Sequence, residues 1–233
     1  MKPDPCSGLR DVPFVCSWSG GKDSCLALHL AVRAGGVPRR LLCVADETGR
    51  QTRSHRLPVE VIRAQAAALG LPLTLCSAPW ETYEEVFIAA LGEVAAEGVT
   101  AAVFGDIDIE EHRAWEQKAC RAAGVQAFLP LWGLSRGDVL DELFALPVAA
   151  TVVTAEARVL DGHLVGRRLT PGLAGELERA GWDVAGELGE YHTAVTDCPL
   201  FAQPLALRVT GSQRIDDHWF ARLVVGHDAK ETG

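Results

Sequence analysis

The sequence predicts an α/β protein: a doubly wound parallel sheet over residues 1–130, then a second, smaller α+β domain over residues 131–233. Three observations carry this. Short runs that are apolar throughout alternate with stretches of helical period, as in a parallel sheet covered on both faces. Glycine follows each of the first four helical stretches, where it serves as a stop signal. Beyond Pro130 the alternation gives way to a mixed pattern.

In chain order, the predicted strands of the first domain are residues 14–18, 41–45, 73–77, 101–104 and 127–129. The helices between them are 24–34, 58–69, 83–97 and 110–123, closed by Gly35, Gly70, Gly98 and Gly124. In the second domain, 135–146 reads as a helix capped by Ser135 and 149–154 as a strand. Residues 159–165, centred on Asp161-Gly162, read as a hairpin, and Thr170-Pro171 opens a further helix with proline at its first position. A polar loop at 186–192 precedes a strand pair around 205–209 and 220–225.

Length and composition bound the function. The 233 residues suffice for one large domain or two modest ones, and 48% hydrophobic with 23% charged residues is ordinary for a globular protein. A net charge of −9, with no basic run longer than Arg39-Arg40 or Arg167-Arg168, argues against a nucleic-acid partner held along its backbone. Seven cysteines without a Cys-x-x-Cys pair give no zinc or disulfide framework. No segment reads as a membrane span or a signal peptide, so a cytoplasmic location is expected. Trp132, Trp182 and Trp219 are candidates for a homodimer surface or a seam between lobes, with core packing the alternative use for at least some of them.

The most informative stretch is Ser19-Gly20-Gly21-Lys22-Asp23-Ser24, directly after the first strand and opening the first helix. Gly20 and Gly21 let successive N–H groups converge on an anion, and the helix start adds unpaired N–H groups and a positive dipole end. Lys22 supplies a cation, and Ser19 and Ser24 supply hydroxyls, a set suited to polyphosphate oxygens. The Walker spacing is absent. The six residues instead resemble the Ser-Gly-Gly-x-Asp-Ser motif of the PP-loop ATP pyrophosphatases.

Because ligands of such sheets bind beyond the carboxyl ends of the strands, the loops holding Asp46 and His55, and Gly105 to Arg113, are the others to inspect. Gly186 to Thr193, with Glu187, Glu190, Tyr191 and His192, forms a second polar concentration.

Taken together, the phosphate loop, Gly105-Asp106-Ile107, Glu116 to Cys120 leading to Leu129-Pro130-Leu131-Trp132, and Gly-Glu-Tyr-His-Thr ahead of Asp197-Cys198-Pro199-Leu200-Phe201 resemble the diphthine–ammonia ligase family. The resemblance runs from residue 14 to about 201 and implies a Rossmann-like (HUP-type) fold. It also implies an ATP-dependent amidation: a carboxylate is adenylated with release of pyrophosphate, and ammonia displaces AMP.

Carried over by the resemblance, Ser19 to Ser24 would grip the β- and γ-phosphates, and Gly105 with Asp106 would lie near the α-phosphate. Val44, Asp46 and His55 would flank the adenosine, and Asp23 would hold Mg2+. Arg113, Glu116, Glu187, Glu190, Tyr191 and His192 would line the acceptor and amine pocket, with Lys22, Asp106, Glu190 and His192 as catalytic candidates. Glu190 and Asp106 remain alternative proton acceptors, and His55 fits a helix-capping role as well as ligand contact. The family's Glu-Gly-Gly-Glu is here Glu187-Leu188-Gly189-Glu190, which leaves open an acceptor other than diphthine. A tRNA-modifying PP-loop enzyme and a non-catalytic ATP- or AMP-binding module are the competing readings.

Overall fold

The computed structural model describes residues 5–53, 55–158 and 162–226. Five parallel strands, β1 (Pro13–Ser17), β2 (Val37–Ala45), β3 (Leu73–Ser77), β4 (Ala101–Val103) and β5 (Gln126–Phe128), form a sheet in the order β3-β2-β1-β4-β5. The connecting helices are α1 (Lys22–Arg33), α2 (Val59–Leu69), α3 (Tyr83–Ala96) and α4 (Glu110–Ala123). The chain winds outward from β1 to β3, then returns to β4. The winding therefore reverses between β1 and β4, and the loops leaving those two strands flank the switch-point crevice.

Alternate strand residues show why the strands are apolar throughout. Phe14, Cys16, Leu41 and Val103 belong to one apolar cluster, with α1 and α2; Val15, Leu42, Ala102 and Phe104 belong to another, with α3 and α4. Both faces are covered, so neither tolerates polar side chains. Helix α1 is buried without a break from Ser24 to Ala31. Its sequence is apolar around most of its circumference because it lies between two layers.

The second layer is an antiparallel sheet of β6 (Ala149–Glu156), β7 (Tyr191–Asp197), β8 (Leu207–Ile215) and β9 (His218–Val225), in the order β7-β6-β9-β8. It carries α5 (Arg136–Phe144) and α6 (Pro171–Arg179). Ala150, Val152, Ala194 and Val195 join the same apolar cluster as α1, so one core is shared by both sheets. Ser135 caps α5 in a capping box with Asp138, and Thr170 caps α6 ahead of Pro171.

The structure corrects several expectations. Tyr191 and His192 begin β7 and are not loop residues, because their pairing with Ala155 and Thr154 extends the sheet to the loop's end. Of the expected hairpin at 159–165, residues 159–161 lie outside the described residues, and Gly162–Leu164 is a single 3-10 turn. The final strand pair is longer than its apolar run, since β8 is exposed along most of its length and carries little periodic signal. Trp132, Trp182 and Trp219 are partly buried against the two apolar clusters and are not exposed. Among the described residues, no helix is long and apolar enough to cross a membrane.

One buried amide joins the layers. Gln65 of α2 is fully buried; its Oε1 accepts from Trp18 Nε1 at 2.9 Å, and its Nε2 donates to Gly20 O at 2.9 Å and Val195 O at 2.8 Å. Gln65→Leu keeps the volume but strips the indole N–H and the Val195 carbonyl of this partner. A loss of about 2–4 kcal/mol is expected by urea denaturation, at roughly 1–3 kcal/mol per orphaned group. A loss below about 1 kcal/mol would show that water replaces the amide.

Candidate active site

A cleft of about 650 Å³ opens at the carboxyl ends of β1 and β4. Its floor is the turn from β1 into α1. Gly20 has φ +83, and a Cβ there would stand 2.7 Å from Gln65 Oε1 and 2.8 Å from Ile62 Cδ1, so glycine is required for both backbone and space. Gly105, after β4, packs on the start of α1; a Cβ would come within 2.8 Å of Ser24 N and of Asp23 C.

The loop is fastened from behind by β7. Val195 N donates to Gly20 O at 2.9 Å, and Lys22 N donates to Thr193 Oγ1 at 3.0 Å. Gly21, the residue ahead of α1, gives no side-chain cap, so the helix start keeps first-turn N–H groups for an anion. Ser19 Oγ lies 3.2 Å from Ser24 Oγ.

Lys22 is buried, with Nζ 2.8 Å from Asp23 Oδ2 and 3.8 Å from Glu187 Oε1. Burial works against its charge, but Asp23, Tyr191 and Glu187 outweigh this and hold it above the ordinary lysine range. Glu187 is pushed up to about 7 by burial and by the Asp23 charge, against the pull of Lys22. Asp23, which lines the cleft at the helix start, offers carboxylate oxygens of the kind hard divalent cations take, so this residue fits Mg2+.

The wall formed by the β4 loop and α4 is acidic. Glu116 is buried, with Oε2 lacking a partner, and burial together with its hydrogen bond to Asp106 pushes its carboxyl to about 11. Burial also works against Asp106, yet hydrogen bonds from His112 and Glu116 outweigh it and keep that carboxyl below its usual value. The two acids therefore share one proton, held on Glu116. His112 Nδ1 sits 2.8 Å from Asp106 Oδ1 and is raised by that bond.

Beside the acids stands an aromatic wall: Tyr83 lies 5.5 Å from Trp80 and 5.7 Å from Trp115 between ring centroids, and Arg53 covers Trp80 at 5.2 Å. On the opposite side His55 stacks on His192 at 4.5 Å, while His55 Nδ1 donates to Thr193 O at 3.0 Å. Burial lowers both imidazoles, His55 to about 4 and His192 well below its ordinary value, so the pair is neutral.

The cleft thus gathers Ser19, Lys22, Asp23, Ser24 and His55 with Gly105, Asp106 and Glu116, and with Glu187, Tyr191 and His192 from the second sheet's side. Gly20 and Gly21 shape the loop without lining the space. Val44 lines a smaller adjoining recess of about 120 Å³ with Trp18 and Leu42. Asp46 does not line either space; its Oδ1 accepts from Thr48 Oγ1 at 2.6 Å within its own turn. Arg113 pairs with Glu110 and lies over Trp132 at 4.4 Å, outside the cleft. Glu190 is buried beneath the loop, its Oε1 accepting from Asp183 N at 3.3 Å. Leu188 projects from the loop, 75% exposed, and does not line the cleft.

Sequence reasoning passed over Gln65, Thr193, Trp80, Tyr83 and Trp115. Trp80 and Tyr83 follow β3 at a strand's carboxyl end, the place where ligand loops lie, and Gln65 is an amide in an otherwise apolar helix stretch. Thr193 stood in the polar stretch 186–193, but its role in holding Lys22 N gave no signal, because that partner is 171 residues away.

Two family models match the chain: the diphthamide synthase N-terminal domain over residues 14–127 and the diphthamide synthase C-terminal domain over 136–227. Among curated proteins, the diphthine–ammonia ligase of Bos taurus is 27% identical over 216 residues, 80% of this chain and 79% of that one. The diphthine–ammonia ligase of Homo sapiens is 28% identical over 218 residues, 80% and 79% of the two chains. That of Danio rerio is 29% identical over 235 residues, covering 87% and 89%. A solved structure described as a predicted subunit of tRNA methyltransferase from Methanocaldococcus jannaschii superposes with a TM-score of 0.42 at 18% identity, covering 82% of this chain and 98% of that one.

Glu116 provides a test of the shared proton. A carboxyl raised from its ordinary 4.5 to about 11 keeps a proton in the folded state that the unfolded chain has released, so it makes stability fall as pH rises through that interval. Glu116→Gln keeps a donor toward Asp106 and removes the titration. Its melting temperature relative to the unsubstituted chain is expected to climb steadily between about pH 5 and pH 9. A flat difference would mean that Glu116 is ionised in the fold.

Proposed function

The chain belongs to the diphthamide synthase family, and from that premise we propose that it is an ATP-dependent ligase that adenylates a carboxylate and amidates it with ammonia. The observation that carries this reading is the meeting, in one cleft, of a glycine-preceded helix start bearing Lys22 with a wall of acids and aromatic rings. The first is suited to polyphosphate and the second to a small cation. Residues 1–130 would hold the nucleotide and residues 131–233 would supply the acceptor side.

In this reading Ser19 to Ser24 receive the β- and γ-phosphates, through the N–H groups of α1, the two hydroxyls and Lys22. Gly105 lets the nucleotide approach the backbone after β4. The recess bordered by Val44 takes the base. Asp23 would hold Mg2+, which would neutralise phosphate charge.

A carboxylate oxygen of the acceptor attacks the α-phosphorus; the bond from that phosphorus to the bridging oxygen breaks, and pyrophosphate departs. Ammonia then attacks the acyl carbon, the bond to the AMP oxygen breaks, and a proton leaves nitrogen. Activation is needed because a carboxylate would otherwise have to expel oxide, whereas the acyl adenylate expels AMP. The protein's contribution is positioning and charge stabilisation.

Ammonium is drawn to the cleft by Asp106 and the Tyr83 and Trp115 faces, where a cation over an aromatic ring gains about 0.5–2 kcal/mol. Glu187 takes the proton: it lines the cleft, and its carboxyl, raised to about 7, matches a general base working near neutrality. Glu190, buried under the loop, supports that loop and does not touch the substrates.

The deciding experiment supplies ATP, magnesium, ammonium and a panel of carboxylates, including diphthine-bearing elongation factor. AMP and pyrophosphate that require both acceptor and ammonium are the expected products; ADP with phosphate would overturn the reading. Lys22→Ala is expected to weaken ATP binding at least tenfold by calorimetry. Glu187→Gln is expected to leave ATP binding within a few fold while lowering turnover roughly 10²-fold. Because Glu187 must be ionised to accept a proton, activity should rise as pH passes about 7, and this limb should vanish in Glu187→Gln. An unchanged limb would place the base elsewhere.

A further inference from the structure

Away from the cleft wall, on the buried side of α1, three side chains converge that the reaction does not use. Cys25 and His29 stand four residues apart on one face of α1, and Cys198 comes from the segment that follows β7. A ligand atom from each, two sulfurs and a ring nitrogen, lies within 4.8 Å of the others. Cys25 Sγ is 3.7 Å from His29 Nδ1. All three residues are buried, at 0%, 8% and 3% exposure.

The histidine carries the argument. A carbonyl oxygen only accepts, so the 2.9 Å contact between His29 Nδ1 and Cys25 O fixes the proton on Nδ1. Nε2 is then the lone-pair nitrogen, and it is a buried polar atom with no hydrogen-bond partner; since Nδ1 is the nitrogen 3.7 Å from Cys25 Sγ, ligation through Nε2 requires a small shift of the ring toward the sulfurs. Metal-ligating histidines have this arrangement, with one ring N–H donated to a backbone carbonyl and the other nitrogen left for the ion. A buried acceptor without a partner is costly, and ligation would offset that cost.

We propose that Cys25, Cys198 and His29 form a binding site for a thiophilic d¹⁰ metal ion, Zn2+ or Cu+, that clamps the helix of the phosphate loop to the end of β7. Two thiolates and an imidazole select such ions over Mg2+ or Ca2+, which prefer oxygen. Three protein donors are enough for Cu+ and leave Zn2+ one position for a small ligand. Binding releases the thiol protons and changes no oxidation state. The ion would be structural, since Cys25 directly follows Ser24 and its N–H bonds Gly21 O at 3.2 Å. This site does not depend on the ligase reading.

The test loads the intact chain separately with Zn2+ and with Cu+ under reducing conditions, dialyses it, and measures bound metal and melting temperature. Co2+ serves as a spectroscopic probe of thiolate ligation. One equivalent of Zn2+ or Cu+ is expected, with a rise in melting temperature and a thiolate-to-cobalt charge-transfer band. Cys198→Ser and His29→Gln, checked for native circular dichroism, should each weaken binding at least tenfold, whereas Cys43→Ser should not. Retention of no metal, equal retention in Cys198→Ser, or a Cys25–Cys198 disulfide in the purified chain would each overturn the proposal.

Discussion

The structure depends on how the turn after β1 is held. A turn of two glycines has no side chains of its own to stabilise a shape, and a helix start left open for an anion forgoes its usual cap. Here β7 supplies both functions from 171 residues away: Thr193 caps Lys22 N, and Val195 N together with Gln65 grips Gly20 O. The anion-facing side can stay bare because the rear side is satisfied. The second sheet therefore helps to build the proposed phosphate site even though it need not touch phosphate.

The same coupling explains the composition of α1. A helix with one solvent face would alternate polar and apolar residues, yet this one runs apolar from Cys25 to Ala31 with His29 as the exception. It is packed by the parallel sheet on one side and by β7 and α5 on the other. Lys22 sits at its buried start, and burial there is tolerable because Asp23 and Glu187 compensate the charge from opposite sides of the cleft. An ion pair assembled across the two lobes makes the charge state of each acid a property of the assembled fold.

Charge in the cleft is divided by environment. Glu116 and Asp106 are both carboxylic acids on the β4 side, and the one deeper in the apolar surroundings keeps the proton while the one bonded to His112 gives it up. Glu187 lies between these extremes, titrating near neutrality because it faces Asp23 as well as Lys22. Arg136 sets this loop's position by bonding Asp108 at 2.6 Å and Asp183 at 2.8 Å, tying the β4 loop to the loop that carries Glu187.

Local order was legible along the chain. Apolar runs marked the five parallel strands, glycines marked the helix ends, and Ser135 and Thr170-Pro171 marked helix starts, because each of these signals acts within a few residues. The turn from β1 into α1 was legible for the same reason: its six residues are contiguous. Glu190, Arg113 and Asp46 were equally polar and equally near motifs, yet burial under a loop, pairing with Glu110 and an internal turn took them away from the cleft. Whether a polar side chain faces a ligand or its own backbone is decided by neighbours distant in sequence. The sequence by itself determined the parallel sheet, its switch point and the glycine turn into α1, through propensities and spacings that operate locally. Only the tertiary structure decided that β7 fastens that turn, that Glu187 and Asp106 share a cleft, and that Cys198 meets Cys25, since each of these contacts exists only once two layers pack around α1.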